Sequence, residues 1–539
     1  MGFNLADLLE SVAAAVGDRE ALVCPAADGD PEVRLTYRQL DERATRLAHV
    51  LAGVGVGRDD AVGLMLRNGN EYLEAMLACF KLRAVPVNVS YRAVAPEAGS
   101  LLADCAAAAI LHEPELANVV ATSGHLAPTL ARGAAWEEAL AAASARPVAP
   151  GGRSGDDRYV LYTGGTTGRP KGVVWRHEDL FFGALGGGRP GGEPVTDPAR
   201  VAVAAITGRS RCLPASPFVH GTGHWSALTT LLSGGTVVAL RDARFDAGKL
   251  LDVVAAESVT FLVVVGDAFG RPIVDALADR GDVERLSSLN VILSGGATLS
   301  PSTKADLLAL LPWVVVVDGF GASETGGQGQ RVSYPGAAVA PGHGRFTMGP
   351  ETTVLDDDLR PLALGDGRVG WLARRGHIPL GYLGDPEGTA STFPVLDGVR
   401  WAVPGDRAAI ARDGTIVVHG RGSSTINTGG EKVHAEEVEA VVRAHPAVLD
   451  AVVVGVADDR WGEIVAAVVS VRPGESLTVQ EVAEHCRPDL AGYKLPRRLV
   501  VVDEVVRSAA GKPDIRWARA AATASDKTPS EGVAGTLAP

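Results

Sequence analysis

The chain has 539 residues, 46% hydrophobic and 21% charged, with 65 glycines spread along it; at ~150 residues per domain this is a globular chain of roughly three or four domains or subdomains. Its 64 acidic residues outnumber the 51 basic ones for a net charge of −13, which argues against a general nucleic-acid or anionic-membrane surface and leaves a small-molecule enzyme as the leading class. Lysine occurs only at 81, 171, 249, 304, 432, 494, 512 and 527, so a lysine here marks a place where a compact ammonium can matter more than a planar guanidinium fork.

Five scattered cysteines (Cys24, Cys79, Cys105, Cys212, Cys486) form no CxxC pair, so neither a disulfide framework nor a zinc site is expected and a reduced cytoplasm fits. The first residues carry no signal-peptide pattern, and no apolar run approaches the ~18 residues of a membrane span. In chain order, Thr36 is placed to cap a helix whose apolar members Leu40, Ala44, Leu47, Ala48 and Leu51 recur at helical spacing. A strand over 61–66, a helix through Tyr72, Ala75, Met76 and Cys79, and a strand over 84–89 follow. Buried-type strands recur at 236–240, 261–265, 290–293 and 314–317.

This alternation predicts an α/β fold: a large N-terminal body of α/β subdomains with mostly parallel sheets over 1–420. From Glu436 the texture changes to helix 436–444, strands 451–455 and 465–471, helix 479–486 and strand 499–502, a small mobile α+β domain over 425–520 with a hinge at 421–424. The stretch 521–539, rich in Ala, Thr, Ser and Gly, is expected to be a disordered tail.

The most informative segment is Leu161-Tyr-Thr-Gly-Gly-Thr-Thr-Gly-Arg-Pro-Lys-Gly172. Thr163, Gly164, Gly165, Thr166, Thr167 and Gly168 offer backbone and hydroxyl donors, and Lys171 a mobile charge, a combination suited to a polyphosphate. It is not a Walker A loop, because Arg-Pro separates Gly168 from the lysine.

This segment resembles the phosphate loop of the adenylate-forming acyl-CoA synthetases, and further motifs over roughly residues 5 to 520 follow in that family's order. The resemblance implies ATP-dependent activation of a carboxylate to an acyl-adenylate with release of pyrophosphate, then transfer to coenzyme A. Asp318-Gly-Phe-Gly-Ala-Ser-Glu-Thr325 matches the segment that contacts adenine and phosphate through Gly319, Phe320, Gly321 and Ala322. Glu324 is there the expected Mg²⁺ ligand and Thr325 the contact to α-phosphate or carboxylate. Gly295, Gly296 and Ala297 resemble the loop against which adenine packs. Asp406 and Arg421 match the ribose and phosphate contacts. Ser423 stands at the hinge position, where many members have Asp or Lys.

The resemblance further assigns Lys512, in Arg507-Ser-Ala-Ala-Gly-Lys512, to the lysine that neutralises charge during adenylation. It places Gly429, Gly430 and Glu431 on a loop that swings in to form the pantetheine tunnel, with Trp461 and Lys494 as further CoA contacts, Arg497 beside them. His220 and Trp225 fall in the family's aromatic/His motif beside the acyl pocket, with Gly266, Asp267 and Ala268 on another wall; His224 is expected to be structural.

Phrases such as Val174-Trp-Arg-His-Glu-Asp179 and Gly511-Lys-Pro-Asp-Ile-Arg-Trp517 look like the actinobacterial branch that activates steroid side-chain carboxylates. By that resemblance the substrate is a bulky polycyclic acid, steroid or diterpenoid. Three alternatives stay open: a chain performing one half-reaction only, a carrier-loading module, and a nucleotide-dependent oxidoreductase, the last disfavoured because no Gly-x-Gly-x-x-Gly follows the first strand. No nucleic-acid partner is expected, and a homodimer stays open as an assembly.

Overall fold

The computed structural model describes residues 2–524 apart from 28, 149, 164–169, 190, 243, 338–344, 350, 422–424, 429–430, 459–460, 491 and 509–510. Local chemistry sets the first elements. The Thr36 hydroxyl accepts from Gln39 N at 3.2 Å and the Gln39 side chain accepts from Thr36 N at 2.8 Å. This capping box starts the helix Tyr37–Gly53 where the sequence places it, with its apolar stripe buried. That helix packs on Asn70–Leu82, a helix buried on every side. Its charged residues survive burial because they are paired: Glu74 accepts from Arg43, Asn70 and Trp136, and Lys81 meets Glu10 and Asp41.

Three sheets organise the described residues. In the seven-stranded sheet, Ala61–Met65, Val85–Asn88, Ala109–His112, Thr129–Ala131 and Arg158–Thr163 are parallel neighbours, and Lys171–Arg176 closes on Arg158–Thr163 antiparallel. The fifteen-stranded sheet has a parallel half in which Glu20–Cys24, Thr236–Val238, Arg211–Pro214, Phe261–Val264, Val291–Gly295 and Val315–Ala322 lie side by side. From Gly326–Ser333 onward it continues antiparallel. The parallel half carries the helical crossovers that parallel neighbours require. This α/β body with a smaller C-terminal unit is the class the alternation predicts.

Sheet membership changes between Thr415–Arg421, paired into the large sheet, and Thr425–Thr428, paired into a five-stranded sheet with Glu431–His434, Gly462–Val471, Val448–Asp458 and Arg498–Val501. The hinge expected at 421–424 falls at that change, with 422–424 outside the described residues. The last helix, Ile515–Ala524, runs past residue 520 into the stretch expected as tail. Ala518 and Ala522, one turn apart, are both fully buried against the small sheet, and that contact holds the last turn in place.

Candidate functional site

The site forms where the parallel strands of both N-terminal sheets end. Thr163 and Lys171 are cross-strand partners flanking the Gly/Thr loop; Gly164, Gly165, Thr166, Thr167 and Gly168 lie outside the described residues. The Lys171 ammonium sits 2.8 Å from Asp385 Oδ2 and over the Tyr382 ring at 4.8 Å. That ammonium, aided by the Gly388 N–H, holds the Asp385 carboxyl below its ordinary range. Tyr382 in turn donates its hydroxyl to Glu324 Oε1 at 3.0 Å. Two motifs far apart in the sequence are thereby tied through one tyrosine.

Glu324 and Thr325 are buried. The Thr325 hydroxyl accepts from Ala322 N at 3.0 Å and donates to Gly326 O at 3.0 Å, folding the chain end of Val315–Ala322 back on itself. Gly321 is required there, since a Cβ would lie 2.1 Å from Gly326 O. Beneath this turn Arg374 donates to the carbonyls of Gly183, Thr325 and Gly327. Its guanidinium is buried with no carboxylate bonded to it among the described residues, and burial lowers its pKa to about 10.

Gly295 and Gly319 are register partners at the ends of adjacent parallel strands, and Gly296 (φ +87) turns the chain away beside the Thr222 hydroxyl. Ala297 packs against Gly266, while Phe320 tilts on Phe346 at 5.5 Å. Asp406, buried, is the register partner of Arg421. The glycine shelf, the acidic turn and the Asp406–Arg421 pair thus occupy one sheet.

His220 occupies the cap position of helix Gly221–Leu232. Its Nε2 is buried with no hydrogen-bond partner among the described residues. Burial first, then the facing Lys512 ammonium, with smaller contributions from His224 and Arg92, bring its pKa down to about 3. The imidazole is therefore neutral at ordinary pH, a ring that accepts or donates one hydrogen bond without charge. Lys512 is exposed and lies opposite Ser508 in the C-terminal hairpin, and the preceding Gly511 rests against Val265 and Ala268.

His224 is structural, as expected. Its Nδ1–H donates to Phe218 O at 2.6 Å and its Nε2 accepts from the Tyr159 hydroxyl, which receives Trp225 Nε1–H at 3.1 Å. This buried chain fixes Trp225, set edge-on to Trp175 at 6.2 Å.

Other expected contacts sit elsewhere. The Asp267 carboxylate accepts from Ser300 N and Oγ and faces Arg443 of the C-terminal unit. Lys494 pairs with Glu437 at 2.6 Å, and Arg497 stacks on Trp461 at 4.4 Å. Ser423, Gly429 and Gly430 lie outside the described residues, as do the side chains of Arg421 and Glu431.

One feature has no motif to announce it. Beside Pro217 and Phe269 opens a cleft lined by Arg67, Arg92, Arg244 and Lys249 together with Asp242 and Asp246. Arg67 and Lys249 are paired with Glu115 and Asp242; Arg92 and Arg244 make no ion pair among the described residues.

Residues 9–383 match the profile of the AMP-binding enzyme family, and residues 437–512 match that of the AMP-binding enzyme C-terminal domain. The chain belongs to the AMP-binding enzymes. It is 42% identical to the medium-chain acyl-CoA ligase Mig of Mycobacterium avium, over 96% of this chain and 98% of the relative. It is equally 42% identical to a 3-oxocholest-4-en-26-oate–CoA ligase of Rhodococcus rhodochrous, over 96% of each. Among solved structures, ATP-bound MatB from Rhodopseudomonas palustris superposes with a TM-score of 0.78 at 26% identity, covering 96% of this chain and 99% of that one. As an AMP-binding enzyme of this kind, the chain is an AMP-forming acid–thiol ligase that uses ATP, CoA and a small-molecule acid. No helix among the described residues is long and apolar enough to cross a membrane.

Proposed function

We propose that this ligase converts a bulky polycyclic carboxylic acid, steroid or diterpenoid, to its CoA thioester and carries out both half-reactions in one chain. The observation that carries the substrate class is the likeness, at 42% identity over 96% of both chains, to a ligase named for a steroid side-chain acid. The complete reaction is supported by the chain Lys171–Tyr382–Glu324, suited to the phosphates, together with Lys512 facing the His220 ring. The carboxylate enters as an anion between the neutral His220 ring and Lys512, whose ammonium offsets charge as the carboxylate oxygen attacks the α-phosphorus. Lys171 draws on the departing pyrophosphate. Thr325, held by its turn and by Arg374 below, positions the α-phosphate.

Mg²⁺ would be held by the buried Glu324, whose carboxylate would supply a hard oxygen, and it would neutralise charge on the phosphates. The cleft beside Pro217 and Phe269 is assigned to the phosphates of CoA on the strength of Arg92 and Arg244 in its lining. A reducing compartment, the cytoplasm, suits the five cysteines, all buried and none in a disulfide.

A second reading, a straight-chain acid of medium length, is favoured by the Mycobacterium avium relative. Steroid, diterpenoid and fatty acids assayed with ATP and CoA, with thioesters read by mass, decide between them. We expect kcat/KM for the best polycyclic acid to exceed that for any fatty acid; the reverse order establishes the second reading, and no thioester with any acid refutes both.

Charge reversal in the cleft tests the CoA assignment. Arg92→Glu with Arg244→Glu is expected to raise KM for CoA by about tenfold or more, the worth of one or two charge-assisted contacts, while acid-dependent pyrophosphate exchange stays near wild type. An unchanged KM for CoA removes the assignment.

A further inference from the structure

Lys512 is carried on a short hairpin whose returning arm is held by one guanidinium. Arg507 and Pro513 bridge across the base of the hairpin, and inside it Ser508 N donates to Lys512 O at 2.8 Å and Gly511 N to Ser508 O at 2.9 Å. Arg507 directs one terminal nitrogen to Gly511 O at 2.8 Å, the carbonyl immediately before Lys512. Its other edge meets Asp450 fork-on, Nε to Oδ2 at 2.6 Å and the second terminal nitrogen to Oδ1 at 2.8 Å. A bidentate pair of this kind fixes direction as well as distance. Asp450 stands at the irregularity in the pairing of Val448–Asp458 with Gly462–Val471, a position where a bulge re-aims a side chain.

The same carboxylate is approached by a second guanidinium. Arg443, the last residue of helix Ala435–Arg443, lies 3.4 Å from Asp450, 2.6 Å from Glu439 and 2.8 Å from Ala451 O. Its remaining nitrogen reaches across to the N-terminal body, 4.0 Å from Asp267 Oδ2. Gly511 docks on the neighbouring residues of that body: at φ +70 it is turned so that a Cβ would lie 3.3 Å from Ala268 Cβ and 3.6 Å from Val265 O. One aspartate thus joins the hairpin that aims Lys512 to the contact between the two units.

We infer that Asp450 and Arg507 are positioning residues for adenylation, the fork setting the Gly511 carbonyl and through it the direction of the Lys512 ammonium, with Arg443 and Asp267 holding the hairpin over Val265–Ala268. This rests on the adenylation reading of Lys512 given above. A network that only stabilised the small domain would serve both half-reactions alike. This network touches the segment that carries the adenylation lysine.

The test uses the full chain and two substitutions. Asp450→Asn keeps the shape of the carboxylate and removes its charge. Arg507→Lys keeps a cation beside Asp450 and removes the bond to Gly511 O, so a readout survives if the first variant fails to fold. Acid-dependent pyrophosphate exchange is expected to fall 10- to 100-fold in each, the scale on which small misplacements act. Thioester formation from synthetic acyl-adenylate and CoA should stay within twofold of wild type. Combined with Lys512→Ala, neither substitution should lower residual exchange further, because each acts through that lysine. Equal loss in both half-reactions, unchanged exchange, or an additive further loss in the double variants overturns the inference. A wild-type chain that exchanges no pyrophosphate with any acid overturns the adenylation reading together with it, whereas normal wild-type exchange beside unaffected variants overturns this inference alone.

Discussion

Replacing Lys512 by alanine is expected to lower acid-dependent pyrophosphate exchange by about 10²- to 10³-fold, the scale of one electrostatic contact made where charge develops. Thioester formation from added acyl-adenylate is expected to continue within a few-fold of wild type. The ammonium faces the neutral His220 ring, which cannot itself offset the negative charge arriving with the carboxylate and the α-phosphate. Lys512→Arg should recover little, because a planar fork cannot replace a compact charge beside an imidazole. Measuring both half-reactions on the same preparation checks this. Equal loss in the two would place Lys512 outside adenylation.

Acid is expected to destabilise the N-terminal body through histidines that burial holds neutral. Burial lowers His177 and His224 to about 4 and, with Lys512 adding to it, His220 to about 3. In the unfolded chain each returns to its ordinary value of about 6.5, so between these limits the unfolded state binds more protons and stability falls as pH falls. Burial and the neighbouring Glu74 carboxylate raise Glu71 to about 7. This acts in the opposite direction, since the folded state then takes up the proton first as pH drops. Three histidines outweigh one glutamate. The balance is a loss of roughly 3 kcal/mol between pH 7 and pH 5, a large share of a net stability of about 5–15 kcal/mol. Urea unfolding followed by tryptophan fluorescence reports this body, which holds Trp136, Trp175 and Trp225. A midpoint that stays level from pH 7 to pH 5 would show that these imidazoles are not held neutral.

What could be read from the sequence was what the chain carries locally. Thr36 and Gln39 are three residues apart, so the helix start is a short-range fact. The Gly/Thr segment and the Gly-Ala-Ser-Glu-Thr turn likewise hold their chemistry within a few residues. The partners of those motifs were out of reach. Asp385 meets Lys171, Arg374 underpins Thr325, and Asp450 steadies the Lys512 hairpin, each from a distant part of the chain and each without a distinctive neighbourhood. Asp267 shows a subtler limit. Its segment borders the site, yet the side chain turns to Ser300 and Arg443, because the direction of a residue at a helix start depends on what packs against it. The last helix was hidden for another reason: alanines at helical spacing give weak hydrophobic contrast, and only the facing sheet shows that Ala518 and Ala522 are buried.

The pairing of Lys171 with Asp385 changes what it means for this site to recognise a phosphate. The ammonium already has a carboxylate at 2.8 Å and an aromatic face above it, so an incoming anion gains only by the margin with which it outcompetes an internal one. A single negative charge is close to an even exchange with Asp385, whereas a polyphosphate brings several. On the phosphate role proposed for Lys171, preference for a triphosphate over a monophosphate then follows from competition with the internal anion Asp385.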